Sequence, residues 1–121
     1  MIVAGFGFRK GTALSSLRAA LALAQEGHEP VRWLTTAQDK AEGLLPLAEA
    51  MSLPLVALSP EALTAAETQT RSAASFAARG TGSVAEACAL AAAGPGARLL
   101  RPRQISPDRM ATCAIAQGPS T

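Results

Sequence analysis

At 121 residues the chain forms a single domain, long enough to bury a real core. Hydrophobic residues make up 49% and aromatics 3%, so that core is built from small aliphatic side chains on helices. A net charge of +2, no tyrosine and three phenylalanines argue against nucleic acid, which calls for a strong basic footprint and stacking platforms.

Residues 2–6 predict a buried strand. Thr12 is placed to cap the helix that follows, which carries Leu14, Leu17, Leu21 and Ala24 on one face and ends at Gly27. Residues 31–35 predict a second strand. Ala41–Met51 predicts a helix with Leu44, Leu45, Ala48 and Met51 inward. Leu55–Leu58 is a third, short strand. Ser59-Pro60-Glu61 then starts a helix, with serine as N-cap and proline at the first helical position. Residues 64–82 predict a long polar, alanine-rich loop followed by a short helix. Ser83-Val84-Ala85-Glu86 is a capping box. It opens a helix with Val84, Ala87, Cys88 and Ala91 on its buried face, stopping near Gly94-Pro95-Gly96. Residues 97–100 and 111–116 read as the last two strands. Arg101-Pro102-Arg103 and Ser106-Pro107-Asp108-Arg109 form the link between them, and residues 117–121 form a C-terminal tail.

Strands alternating with helices predict an α/β fold: a three-layer sandwich with a mainly parallel, mixed sheet of about five strands flanked by helices. The final link is too short for a helix, so the last two strands form a hairpin. Ligands of open α/β sheets sit at the carboxyl ends of the strands. Residues 5–12, 35–40, Ser59 and the stretch before Ser83 fall there.

The most informative stretch is Gly5-Phe6-Gly7-Phe8-Arg9-Lys10-Gly11-Thr12. A strand running through glycines into a helix start presents backbone N–H groups at the positive end of a helix. Arg9 and Lys10 add full charge, and the matching ligand is a carboxylate or phosphate. The spacing G-x-G-x-x-x-G departs from the dinucleotide fingerprint, and Lys10 precedes Gly11 where a P-loop has the reverse order. The competing reading is a plain tight turn with two solvated cations.

Other classes of site find little support. One histidine, His28, and two unclustered cysteines, Cys88 and Cys113, disfavour a protein-only zinc site and a Ser-His-Asp triad. No metal and no cofactor are expected. The cysteines read as buried, reduced thiols of a cytoplasmic protein. Residues 13–24 resemble a secretion signal, with cations before the run and Ala22-Leu23-Ala24 at its end resembling a cleavage site. Arg18 inside the run and an apolar stretch ahead of the cations argue against it. The run is too short to span a bilayer, and no membrane contact is expected.

Several separated segments point the same way. Gly5-Phe-Gly-Phe-Arg9-Lys10-Gly11-Thr12 comes first. Residues 35–44 follow the second strand, and Leu53-Pro54-Leu55 leads into the third. Gly80-Thr81-Gly82-Ser83-Val84-Ala85-Glu86-Ala87 opens the late helix, and Thr112-Cys113-Ala114-Ile115-Ala116 follows near the end. In order and spacing these resemble the CobE family and the C-terminal domain of CbiG, proteins of cobalamin (vitamin B12) biosynthesis. The resemblance covers residues 2–116 and implies one domain of that type over residues 1–116. The CbiG-type N-terminal domain is missing here, so the chain looks like the free-standing CobE form of the oxygen-dependent, aerobic route.

The resemblance implies a protein that binds a precorrin or corrinoid polycarboxylate, with other cobalamin-biosynthesis enzymes as possible partners. Such a ligand needs cations and N–H donors spread over a broad, partly apolar cleft. The candidate contacts are Gly5, Gly7, Arg9, Lys10, Gly11, Thr12, Thr36, Asp39, Lys40, Gly82 and Ser83. Arg9 outranks Lys10 because arginine grips a carboxylate with two donors. An alternative is a CbiG-like hydrolase that opens the ring-A lactone and expels a two-carbon fragment. Acid–base chemistry would then fall to Asp39 or Glu86, the latter otherwise a helix-capping residue. A third reading, from another class, is a nucleotide- or phosphate-binding regulatory domain.

Overall fold

β1 (Ile2–Phe8) is an unbroken apolar run, a pattern that suits a central strand covered on both faces. The computed structural model describes residues 2–65 and 83–118. In chain order β1 is followed by α1 (Leu14–Gln25), β2 (Trp33–Ala37), a single 3-10 turn (Gln38–Lys40), α2 (Ala41–Met51), β3 (Leu55–Leu58) and α3 (Pro60–Ala65). After the undescribed stretch come α4 (Val84–Ala93), β4 (Arg98–Ile105) and β5 (Ala111–Gln117).

The five strands form one mixed sheet in the order β3-β2-β1-β5-β4. β1, β2 and β3 run parallel, joined by helical crossovers, as Val3 opposite Trp33 and Leu34 opposite Leu55 show. β5 enters antiparallel beside β1, with Ile2 opposite Gln117 and Phe8 opposite Ala111. The β4–β5 hairpin makes the antiparallel share of the sheet larger than helical crossovers alone would give.

Alternation along β1 sorts the core into two faces. Ile2, Ala4 and Phe6 pack with Leu34, Cys113 and Ile115 under α1 and α2, which bring Leu17, Leu21, Leu44 and Leu47. Val3 faces Ala89, Ala93 and Ala116 beneath α4. Ala37, Leu63, Ala87 and Cys88 close the space between α3, α4 and β2. Buried hydroxyls are satisfied internally: Thr36 Oγ1 donates to the Phe6 carbonyl (2.9 Å) and Thr35 Oγ1 to that of Cys88 (3.4 Å).

Several elements differ from the sequence expectation. β1 continues two residues past Phe6, so Gly7 and Phe8 belong to the strand. The second strand is Trp33–Ala37, two residues later than expected. Leu45 is exposed and Leu47 takes the inward place, a one-sided shift of the α2 stripe. β4 runs straight through Arg101-Pro102-Arg103; irregular register between Leu99 and Gln104 accommodates the proline on this edge strand. Gln117, expected in the C-terminal tail, is paired in β5, and Gly118 beyond it is buried. The expected loop over residues 64–82 starts later, because Thr64 and Ala65 complete α3; the rest of it, 66–82, lies outside the described residues.

Candidate functional site

At the carboxyl end of β1 the chain reverses in a four-residue turn, Arg9–Thr12. The Thr12 N–H donates to the Arg9 carbonyl at 3.1 Å, and the Thr12 hydroxyl donates to the same oxygen. Gly11 occupies the third position with φ +82°, the left-handed value such a turn demands there. The turn is tied to the neighbouring hairpin: the Arg9 N–H and the Thr12 hydroxyl both donate to the Met110 carbonyl, at 3.1 and 3.2 Å. Thr12 therefore locks the turn and does not cap α1. Ala13 is the N-cap residue and offers no side chain to the first-turn N–H groups. Arg9, Lys10 and Gly11 are exposed.

Phe8, half-buried at the strand end, joins this turn to the start of α2. The Lys40 ammonium lies 5.9 Å from the centre of its ring, within cation–π range. Gly43 leaves room for the ring, since a Cβ there would lie 2.7 Å from Phe8 Cε2. Asp39 stands exposed on the preceding 3-10 turn. Lys40 is thus stacked on Phe8, and the exposed Arg9 and Lys10 follow that residue in the chain, at the carboxyl ends of β1 and β2.

Three expected ligand contacts sit elsewhere. Gly5 and Gly7 are inside β1, where their role is close packing beneath α4. A Cβ on Gly5 would fall 2.1 Å from the Ala85 carbonyl oxygen and 2.5 Å from the Ala89 nitrogen. On Gly7 it would come within 2.9 Å of Thr112 Oγ1. Thr36 is fully buried, with its hydroxyl donating to Phe6. These residues build the platform: Gly5 and Thr36 are buried and Gly7 is half-buried.

Ser83 lies at the same end of the sheet but on the opposite face, because α4 begins beside Gly7. It is buried and its hydroxyl accepts the Glu86 N–H at 3.2 Å, the N-cap bond expected of it. Gly82 lies outside the described residues. The Glu86 carboxylate is wholly buried and accepts the Arg103 N–H at 2.9 Å, which ties α4 to the irregular part of β4. Of the two candidate acid–base residues, Glu86 is therefore enclosed in the fold and Asp39 faces solvent.

Sequence reasoning missed the knot around Asp108. Its carboxylate accepts from the Ser106 hydroxyl (2.6 Å), the Ser16 hydroxyl and the Met110 N–H (3.1 Å). The hydroxyl bonds from Ser106 and Ser16, then the Met110 N–H, hold its pKa below the usual carboxylate range. The available signal was Ser106-Pro107-Asp108, a turn sequence whose polar side chains bond nearby backbone. Ser16, on the first turn of α1, could not be paired with it from spacing alone. Cys88 and Cys113 are buried and in no disulfide, and burial pushes the Cys113 thiol well up. Among the described residues no group of three His, Cys, Asp or Glu side chains is placed to hold a metal, and no helix is long and apolar enough to cross a membrane.

Comparison with known proteins agrees with this architecture. The family described as cobalamin synthesis G C-terminus matches residues 2–116. The crystal structure of CobE, a protein from the cobalamin biosynthetic pathway, superposes with a TM-score of 0.88 at 31% identity, covering 100% of this chain and 92% of that one. The cobalamin biosynthesis protein chiG from Agrobacterium tumefaciens strain C58 gives 0.76 at 38% identity, covering 99% and 100%. A cobalamin biosynthesis protein G homologue from Sulfolobus solfataricus shares the fold, with a TM-score of 0.73 at 18% identity over 95% of this chain and 36% of that one. No curated protein matches the chain.

Proposed function

The chain belongs to the cobalamin synthesis G C-terminal family of cobalamin biosynthesis proteins, and from that premise we propose that it binds a precorrin or corrinoid intermediate through the carboxylates ringing the macrocycle. The observation that supports this most is the locked Arg9–Thr12 turn, which carries two exposed cations directly after Phe8, the ring that Lys40 faces. A locked turn suits a polycarboxylate because little loop order is lost on binding. The half-buried ring supplies an apolar edge next to them, a combination that a macrocycle with a flat body and charged rim can use.

Binding and transfer fit the site better than lactone opening. A general base must reach the reacting group. Glu86 is wholly buried and commits one oxygen to the Arg103 N–H, while Asp39 stands in solvent beside Lys40 on the same short turn. The protein would hold an intermediate of the pathway and pass it to the enzyme that acts next.

The test is a titration followed by visible spectrum and mass. The ligands are the octacarboxylate tetrapyrrole uroporphyrin, the polycarboxylate corrinoid cobyrinic acid, its amidated relative cobinamide, ATP and NAD. Binding of the two polycarboxylates, with unchanged mass and weaker uptake of cobinamide, is the expected result. Selective binding of ATP or NAD would refute the proposal in favour of a nucleotide-responsive domain.

A further inference from the structure

Arg109 closes the β4–β5 hairpin in an unusual way. Its N–H donates to the Ser106 carbonyl at 2.8 Å, and its φ is +61°. A turn followed by a residue in the left-handed region is a standard hairpin closure, and glycine or asparagine is favoured at that position. Here an exposed arginine holds it at a cost in backbone strain. Strain of this kind points to a use for the side chain.

The surroundings indicate which use. Asp108 fixes the hairpin tip by accepting from Ser106, Met110 and, across on α1, Ser16. The Met110 carbonyl, one residue beyond Arg109, accepts both the Arg9 N–H and the Thr12 hydroxyl. Arg9 and Arg109 therefore stand on two turns joined by shared hydrogen bonds. Lys10 is the other exposed cation there, and the one carboxylate of the hairpin tip, Asp108, is occupied by three donors.

We propose that Arg109 is a second arginine clamp for the same polycarboxylate ligand, and that Asp108 positions it relative to Arg9. The inference rests on the corrinoid reading above and adds a specificity determinant to it. Carboxylates around a macrocycle are spaced apart, so two forks on separate rigid turns engage two different carboxylates, which selects a multiply charged ring over a single acid.

The strain gives the test an unusual signature. Arg109→Gly and Arg109→Asn relieve the backbone, so both should melt at or above the wild-type temperature. Both should nevertheless bind uroporphyrin roughly tenfold more weakly, as expected for a lost charge-assisted contact. A structural arginine would not separate stability from affinity in this direction. Unchanged affinity in both variants, alongside weakened binding by Arg9→Ala, would overturn the role of Arg109 and leave the corrinoid reading standing. A lower melting temperature in both variants would overturn it too, by making the residue structural. Failure of the wild type to bind either polycarboxylate would bring down both readings.

Discussion

Replacing Gly5 by alanine adds one methyl group at the tightest point of the fold. Its Cβ would sit 2.1 Å from the Ala85 carbonyl oxygen, about 1.3 Å inside ordinary contact, and 2.5 Å from the Ala89 nitrogen. Both atoms belong to the backbone of α4 and cannot swing aside as a side chain would. α4 would have to lift from β1 by about 1 Å, and it covers Val3 and Ala116 through the small residues Ala89 and Ala93. A gap of that size forfeits much of the dispersion energy along the whole contact. Overpacking commonly costs about 1–3 kcal/mol; with backbone on the receiving side the upper end or beyond is expected. At roughly 4 °C per kcal/mol for a domain of this size, the melting temperature should fall by about 10 °C or more. Gly11→Ala is the comparison. It meets no atom within 4 Å and suffers only from its φ of +82°, so its cost should stay near 1–2 kcal/mol. Thermal and urea unfolding of both variants measure this. Wild-type stability in Gly5→Ala would refute the packing argument and return Gly5 to the ligand loop.

Two further outcomes follow from buried and bonded carboxylates. Glu86→Gln keeps an acceptor for the Arg103 N–H and should cost at most about 1 kcal/mol, whereas Glu86→Ala orphans that donor and should cost about 1–3 kcal/mol in urea unfolding. Asp108 has a depressed pKa, so its stabilisation is present above the unfolded-state value and is lost as pH falls through the folded one. The stability advantage of wild type over Asp108→Asn should therefore be full at neutral pH and shrink under acid. An advantage that does not change with pH would contradict the Ser16–Asp108–Ser106 knot.

Much of the fold was legible because the local signals agree with the tertiary structure. Ser59 and Ser83 cap the helices their sequences announce, with Ala62 and Glu86 N–H groups donating to the two hydroxyls. Ala41–Met51 and Leu55–Leu58 have the predicted bounds. The misreadings share one cause, competition between local chemistry and a partner distant in sequence. Thr12 looked like a cap, but its hydroxyl turns to the Arg9 carbonyl and to that of Met110, 98 residues away. Gly5 and Gly7 looked like a ligand loop, but the need for room came from α4 at Gly5 and from Thr112 at Gly7. Arg101-Pro102-Arg103 looked like a turn, but the edge of a sheet tolerates proline and bulges. At the candidate site the cations Arg9, Lys10 and Lys40 could be read from the chain. The Asp108 knot joining the hairpin to α1 depends on a Ser16 contact that no local pattern encodes.

The central claim is that the turn after β1 grips a carboxylate of a corrinoid intermediate, and Arg9→Ala tests it most directly. Arg9 is exposed and its backbone N–H, which anchors the turn to Met110, is untouched by the substitution. The variant should melt like wild type, since an exposed cation contributes little to stability. A charge-assisted contact of about 1.5–3 kcal/mol should be lost, so cobyrinic acid should bind roughly ten- to a hundredfold more weakly. Arg9→Lys should recover part of that, because a point charge lacks the fork. A normally folded Arg9→Ala protein that binds cobyrinic acid as tightly as wild type would contradict the account.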